Sequence, residues 1–135
     1  MFSKYELKAI EYFCFLINKL LFLDDQNSNV ISYYLLLISK LNERSNYLPE
    51  LLCLELEILK ASGYQPNLND NVLKKIFNFS DNSDFKTYEH IYEHLKGNND
   101  HQLVFFDFMS RRVTRVLINL NITLPFSRDE ITRKL

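Results

Sequence analysis

Tryptophan is absent from this chain of 135 residues, and glycine, proline and cysteine are scarce, with two, three and two copies. So few glycines and prolines leave little room for the tight turns that a sheet-rich fold needs. Cys14 and Cys53 lack Cys-x-x-Cys spacing and are too few for a disulfide scaffold. This cysteine usage predicts a cytoplasmic protein with both thiols in the core.

The chain also lacks an uninterrupted apolar run of the 18 or so residues that a membrane helix requires. Two polar pairs, Asn18-Lys19 and Asp24-Asp25, interrupt the longest candidate. Its two glycines are isolated, so the sequence contains no glycine-rich phosphate loop. We therefore expect no membrane partner and no nucleotide-dependent catalysis.

Apolar and aromatic residues are plentiful: 47% of the chain is hydrophobic, and there are 11 phenylalanines and eight tyrosines. This is enough for one compact domain with a real core. The net charge is only -1, but residues 1–109 carry 10 basic and 15 acidic side chains, whereas residues 110–135 carry six and two. The last fifth of the chain is therefore locally +4.

Helical periodicity and capping signals predict an all-α, single-domain bundle of six or seven helices. Ser3-x-x-Glu6 and Ser127-x-x-Glu130 are capping boxes, in which each side chain satisfies a free backbone donor at a helix start. Gly63 is expected to end the third helix in the left-handed conformation. The predicted helices cover residues 3–23, 30–41, 49–62, 69–79, 84–95 and 101–120, followed by a short helix from Ser127.

The third predicted helix is apolar on almost every side and is expected to lie at the centre of the fold. Its less apolar stripe is Cys53, Glu57 and Lys60. Glu55 falls within the apolar arc, where an unpaired carboxylate costs several kcal/mol. We therefore expect Glu55 to be largely buried and salt-bridged to an arginine near the C-terminus.

His90-Ile91-Tyr92-Glu93-His94 fits the His-x-x-Glu-His pattern of one class of zinc hydrolases. A catalytic zinc needs three protein ligands, and no well-placed acid follows in the sequence apart from Asp100, Asp107, Asp129 and Glu130. A solvated, charged helix face is the preferred interpretation. The sequence therefore predicts no metal, no cofactor and no enzymatic activity.

The last long helix carries Arg111, Arg112 and Arg115 opposite its apolar face, with Phe108 predicted to project among them. Arg128 extends this basic set. Guanidinium groups pair with phosphate and an exposed ring can stack on an unpaired base, so the set predicts DNA binding. The alternative is a solvated face in which one arginine neutralises the buried acid of the third helix.

Three runs of residues resemble the C-terminal helical domain of the RecO family of bacterial recombination mediators. Each run is short, but their order and spacing are those of the family. The runs are Tyr12-Phe13-Cys14-Phe15-Leu16-Ile17-Asn18-Lys19-Leu20-Leu21, then Leu54-Glu55-Leu56 with Gly63-Tyr64 and Pro66-Asn67-Leu68, and finally Ser110-Arg111-Arg112-Val113-Thr114-Arg115 with Leu124-Pro125-Phe126-Ser127-Arg128.

The resemblance spans residues 1–135 and implies a non-enzymatic role in DNA repair and homologous recombination. RecO proteins bind and anneal DNA in the bacterial cytoplasm at the nucleoid. They also contact RecR and the single-strand-binding protein, and they help to load the RecA recombinase. Arg111, Arg112, Arg115 and Arg128 match the family's basic closing motif, and Glu55 matches its core acid.

The chain departs from the family in three ways. Leu52 and Cys53 stand where many members carry the arginines expected to bind the tail of the single-strand-binding protein. We expect the N-terminal oligonucleotide-binding (OB) barrel to be absent, and the four-cysteine zinc element is replaced by residues 69–79, so zinc is not expected. The alternative function is a helical interaction or structural module without DNA affinity of its own. Burial of Arg112 or Arg115 against Glu55, with Phe108 covered, would favour that alternative.

Overall fold

The computed structural model describes residues 2–21, 28–43, 46–66, 71–77 and 88–132. These ranges contain six α-helices and one short 3₁₀-helix, and no strand, which confirms the predicted all-α fold. The helices are α1 (Lys4–Leu20), α2 (Ser28–Glu43), α3 (Leu48–Ala61), α4 (Asn71–Phe77), α5 (Tyr88–Lys96), α6 (Asn99–Asn119) and the 3₁₀-helix (Arg128–Ile131).

Helix α1 begins with the predicted capping box. The Glu6 backbone N–H donates to Ser3 Oγ at 3.4 Å, and the Ser3 backbone N–H donates to Glu6 Oε1 at 2.6 Å. Tyr12, Phe13 and Leu16 lie on its buried face at helical spacing. The helix ends three residues before the predicted position, and residues 22–27 lie outside the described ranges.

Helix α3 is the central helix, as predicted, because α1, α2, α5 and α6 all pack against it. Pro49 sits in its first turn, where its missing N–H removes no helical hydrogen bond. Along the predicted less apolar stripe, Cys53 is buried, as expected of a core thiol, Glu57 is buried as well, and Lys60 is exposed. The four surrounding helices cover every side of α3 up to Leu59.

Two helices end in Schellman motifs, in which the two residues after the cap bond back to the last turn. At the end of α3, Gly63 N–H donates to Lys60 O and Tyr64 N–H donates to Leu59 O. At the end of α6, Asn121 N–H donates to Ile118 O and Ile122 N–H donates to Leu117 O. Asn121 is the one non-glycine residue with positive φ (57°) in the described part of the chain. Gly63, with φ of 88°, therefore performs the role predicted for it.

Side-chain hydrogen bonds join the ends of several helices to one another. Tyr47, just before α3, donates from its hydroxyl to Ile131 O at 2.6 Å and so holds the 3₁₀-helix. Asn46 donates to Gln102 Oε1 at 2.8 Å, and Gln102 donates to Leu95 O at 2.7 Å. The start of α3, the end of α5 and the start of α6 are thereby fixed to one another.

Other predicted features shift or fail. The helix predicted over residues 84–95 is α5, with residues 78–87 outside the described ranges. Cys14 is exposed, so only Cys53 is a core thiol, and Leu120 at the end of α6 is 37% exposed instead of buried. No helix in the described part of the chain is both long and apolar enough to cross a bilayer.

Candidate nucleic-acid interface and the buried ion pair

Glu55 lies at the centre of the fold and is fully buried. Arg128 donates to both of its carboxylate oxygens, from Nε to Oε2 at 2.7 Å and from Nη2 to Oε1 at 2.5 Å. The Tyr12 hydroxyl donates to Oε2 at 2.5 Å. A carboxylate in the core is thus held by one bidentate cation and one neutral donor, as the desolvation cost of a buried charge requires.

The second capping box fixes the start of the 3₁₀-helix at Arg128, and this short helix packs against α1. Arg128 reaches Glu55 from that position. Its Nη1 donates to Phe106 O at 3.1 Å, and its guanidinium carbon lies 3.8 Å from the centre of the Phe106 ring. Burial alone would lower the pKa of Arg128, but the Glu55 carboxylate outweighs it, so the net pKa is raised. Arg128 therefore stays charged.

The prediction of a buried Glu55 paired with a C-terminal arginine is confirmed, and the partner is Arg128. This placement corrects the inclusion of Arg128 in the DNA-binding set. Arg128 is only 5% exposed, and its guanidinium group donates to acceptors in the core, so phosphate cannot reach it.

Tyr12 is the member of this cluster whose role sequence reasoning missed. Burial, and then the neighbouring Glu55 carboxylate, raise the pKa of its hydroxyl well above the ordinary value. The hydroxyl therefore remains protonated and donates. The signal was present: a tyrosine on the apolar face of an amphipathic helix needs a partner for its hydroxyl once it is buried.

The other three predicted arginines lie on α6. Arg111 and Arg115 are exposed, and Arg111 pairs with Asp107 one turn earlier at 3.1 Å, with side chains that are 69% and 71% exposed. An exposed ion pair of this kind contributes little to stability and is readily exchanged for another anion. Neither Arg112 nor Arg115 contacts Glu55, so that arrangement does not support the alternative function. The other statement of the alternative does agree with the structure, because Arg128 neutralises Glu55 while Arg111 and Arg115 stay exposed.

Arg112 is half-buried at the edge of the same face. Its Nη2 lies 3.4 Å from both Tyr64 O and Gln65 O, the carbonyls that follow the Gly63 turn. Its Nε is buried and has no hydrogen-bond partner among the described residues. Arg112 is therefore committed partly to the α3 terminus, and it presents less charge to solvent than Arg111 or Arg115.

Phe108 is half-buried, not projecting freely as predicted. Its ring lies 5.9 Å from that of Phe105 with an angle of 10° between the ring planes. Phe105 is fully buried, so Phe108 rests one face on the core and keeps part of its surface open. It lies one helical turn before Arg111 and two before Arg115, on the same side of α6.

A second buried polar group lies along the opposite side of α3. Glu50 is buried and accepts from the Tyr92 hydroxyl at 2.6 Å, while its Oε1 has no partner among the described residues. Burial, and then Glu50 and Glu57, raise the pKa of the Cys53 thiol, which keeps it protonated and a poor nucleophile. This arrangement gives no support to cysteine catalysis.

The predicted histidine motif lies on α5. His90 is exposed, but His94 is half-buried and faces His101 of α6, so the motif is not simply a solvated face. Among the described residues, no three histidine, cysteine, aspartate or glutamate side chains are grouped as a metal site.

Comparisons of the chain with protein-family models, with curated proteins and with solved structures found no match. The resemblance to RecO rests on the sequence motifs described above.

Proposed function

We propose that this chain is the helical module of a RecO-like, non-enzymatic recombination mediator and that the outer face of α6 binds single-stranded DNA. The observation that carries the DNA-binding part is the placement of Phe108, Arg111 and Arg115 on one side of α6. Exposed apolar residues, Val104 at 46% and Ile118 at 66%, flank them.

The chemistry of this α6 face suits an unpaired strand. Arginines one turn apart can neutralise successive phosphates, and an aromatic or apolar side chain beside them can stack on or pack against bases. Arg112 adds charge at the edge of the face while its Nη2 stays near the carbonyls of Tyr64 and Gln65. Asp107 opposes binding only weakly, because both it and Arg111 are solvated.

Fluorescence anisotropy with a labelled single-stranded oligonucleotide at increasing salt tests the proposal. Each phosphate contact on a single strand contributes a slope of about 0.7 in a plot of log affinity against log salt. Arg111→Ala/Arg115→Ala should therefore weaken binding and reduce the slope by about 1.4. Absence of binding at low salt would remove the DNA-binding part.

A matched control removes two lysines that lie elsewhere. Lys40 on α2 and Lys96 on α5 each pair with a glutamate of their own helix. Lys40→Ala/Lys96→Ala changes the net charge by the same amount but should leave the slope near that of the parent protein. Equal losses in the two double variants would show that only overall charge matters.

Phe108→Leu separates stacking from charge. Leucine keeps most of the contact with Phe105 but cannot stack on a base, so affinity should fall while the salt slope stays unchanged. An unchanged affinity would exclude Phe108 from the interface.

By resemblance, we extend the proposal to contacts with RecR and the single-strand-binding protein and to RecA loading. A second candidate function is an interaction module without DNA affinity. It is favoured by the exposed apolar residues of α2, where Ile31 is 59% and Leu35 62% exposed one turn apart. If DNA does not bind, binding to RecR that is lost in Leu35→Lys would support this function.

A further inference from the structure

His94 and His101 face each other across the short connection between α5 and α6. His94 Nε2 lies 2.7 Å from His101 Nδ1, and the ring centres are 5.0 Å apart with 9° between the ring planes. The nitrogen–nitrogen distance is shorter than the distance between the ring centres by about the radii of the two rings. Both nitrogens therefore lie near the line that joins the ring centres. The imidazoles therefore meet edge to edge in nearly one plane, and not face to face.

The backbone around this pair is held on both sides. Asn98 donates from its side chain to His94 O at 2.6 Å, and Gln102, which is buried, donates to Leu95 O at 2.7 Å. Both histidines are half-buried, so the site has access to solvent. Two imidazole nitrogens from two helices are thus held facing each other beside a fixed helix junction.

We propose that His94 and His101 form a two-imidazole binding site for a divalent transition metal ion of the Zn²⁺, Ni²⁺ and Cu²⁺ class, with water in the remaining positions. Neutral imidazole is a preferred ligand of these ions. This departs from the sequence-based expectation of no metal, because the second ligand comes from another helix.

Metal binding requires a local rearrangement of the two rings. Metal–nitrogen distances of about 2.0–2.1 Å place two ligands of a tetrahedral Zn²⁺ about 3.3 Å apart, so the nitrogens must separate by about 0.6 Å, and each ring must turn by about 35° so that its lone pair points at an ion lying off the line between the nitrogens. In the metal-free pair one nitrogen donates its proton to the other. On binding, the donor ring carries its proton on its other nitrogen instead, so both facing lone pairs become ligands without any redox partner.

The described residues supply two ligands and no third. Structural zinc sites use four protein ligands and catalytic ones three, so this site is open and exchangeable. The competing arrangement is His90 with His94, one turn apart on α5, which matches the predicted hydrolase pattern. A metal bound there would not depend on α6.

Zn²⁺ titration by calorimetry, with His101→Asn and His90→Asn as matched variants, distinguishes these arrangements. Loss of an outer-shell partner alone costs roughly 10–100-fold in metal affinity, and loss of one of two direct ligands should cost at least as much. We expect His101→Asn to weaken Zn²⁺ binding by that factor and His90→Asn to leave it nearly unchanged. The reverse result, or no binding to the parent protein, would overturn the proposal.

Three further measurements accompany the titration, and the first guards against misfolded variants. Circular dichroism should show the same helix content in each variant. Substoichiometric Cu²⁺ should broaden the NMR signals of residues near 94 and 101 first, and Zn²⁺ at ten times its Kd should raise the Tm by about 5 °C. Broadening centred on His90, with none at 101, would contradict a site between the two helices.

Discussion

Glu55 and Arg128 are 73 positions apart in sequence, yet they form a bidentate ion pair in the core, with contacts of 2.7 and 2.5 Å. Glu55 belongs to the central helix and Arg128 to the 3₁₀-helix near the C-terminus. Tyr12 of α1 donates to the same carboxylate. This cluster therefore joins three elements that the chain reaches at its beginning, middle and end.

Arg128→Met should destabilise the protein by about 3–5 kcal/mol, because it leaves the Glu55 carboxylate buried without a cation. Urea unfolding followed by circular dichroism measures the loss. Glu55→Leu/Arg128→Met should regain most of it, since neither charge is then buried.

Arg111→Ala is the matched control for that change. Its ion pair with Asp107 is exposed, so the free energy of unfolding should fall by about 1 kcal/mol or less. Equal losses in Arg128→Met and Arg111→Ala would contradict a stabilising role for the buried pair.

Tyr12→Phe should cost about 1.5–3 kcal/mol, because it removes one hydrogen bond to a buried, charged acceptor and changes little else. Tyr34→Phe is the comparison, since its hydroxyl lies 3.9 Å from the exposed Cys14 sulfur and should contribute less than about 0.5 kcal/mol. The two free energies of unfolding are measured in urea. A Tyr12→Phe loss no larger than that of Tyr34→Phe would show that the Tyr12 hydroxyl contributes little.

Gly63→Ala should destabilise the protein by about 1–2 kcal/mol, because an L-residue is strained at φ of 88°. A methyl group at this position would meet no atom within 4 Å, so the loss comes from backbone conformation alone. At Gly97 an added methyl group would also meet no atom within 4 Å, and the backbone there does not have the positive φ of Gly63. The Tm of the Gly97→Ala variant should therefore change much less. Similar shifts in Tm for both variants would exclude the conformational explanation.

Glu57→Gln should stabilise the protein at pH 7. Burial raises the folded-state pKa of Glu57, with Lys60 and Asn29 opposing the rise. A carboxyl whose pKa is higher in the folded state than in the unfolded state stabilises the protein at pH values below its unfolded-state pKa. This stabilisation is lost as the pH rises through its folded-state pKa. The gain in unfolding free energy should therefore be present at pH 7 and shrink towards pH 4.

The control for this pH dependence is Glu11→Gln. Glu11 is exposed and lies 3.8 Å from Lys8, so the substitution should change stability by less than about 0.5 kcal/mol at either pH. A Glu57→Gln effect that is the same at pH 4 and pH 7 would argue against the raised pKa as its cause.

Local signals predicted the helices well where they were strong. The capping boxes at Ser3 and Ser127 and the stop at Gly63 all depend on contacts within a few residues, so they could be predicted without tertiary information. The burial of Glu57 could not be predicted in this way, because a helix normally exposes its less apolar stripe to solvent. Here α2 and α5 also pack against α3.

The sequence by itself determined that the chain is all-α, that α3 is central and that Glu55 needs a cationic partner, because periodicity and the cost of burying a charge act locally. Only the tertiary structure decided which arginine that partner is. Arg112 and Arg115 lie on α6 and do not contact Glu55, whereas Arg128 donates to Glu55 of α3 and to the Phe106 carbonyl of α6. Contacts between residues distant in sequence depend on how helices pack, and no single helix encodes that packing.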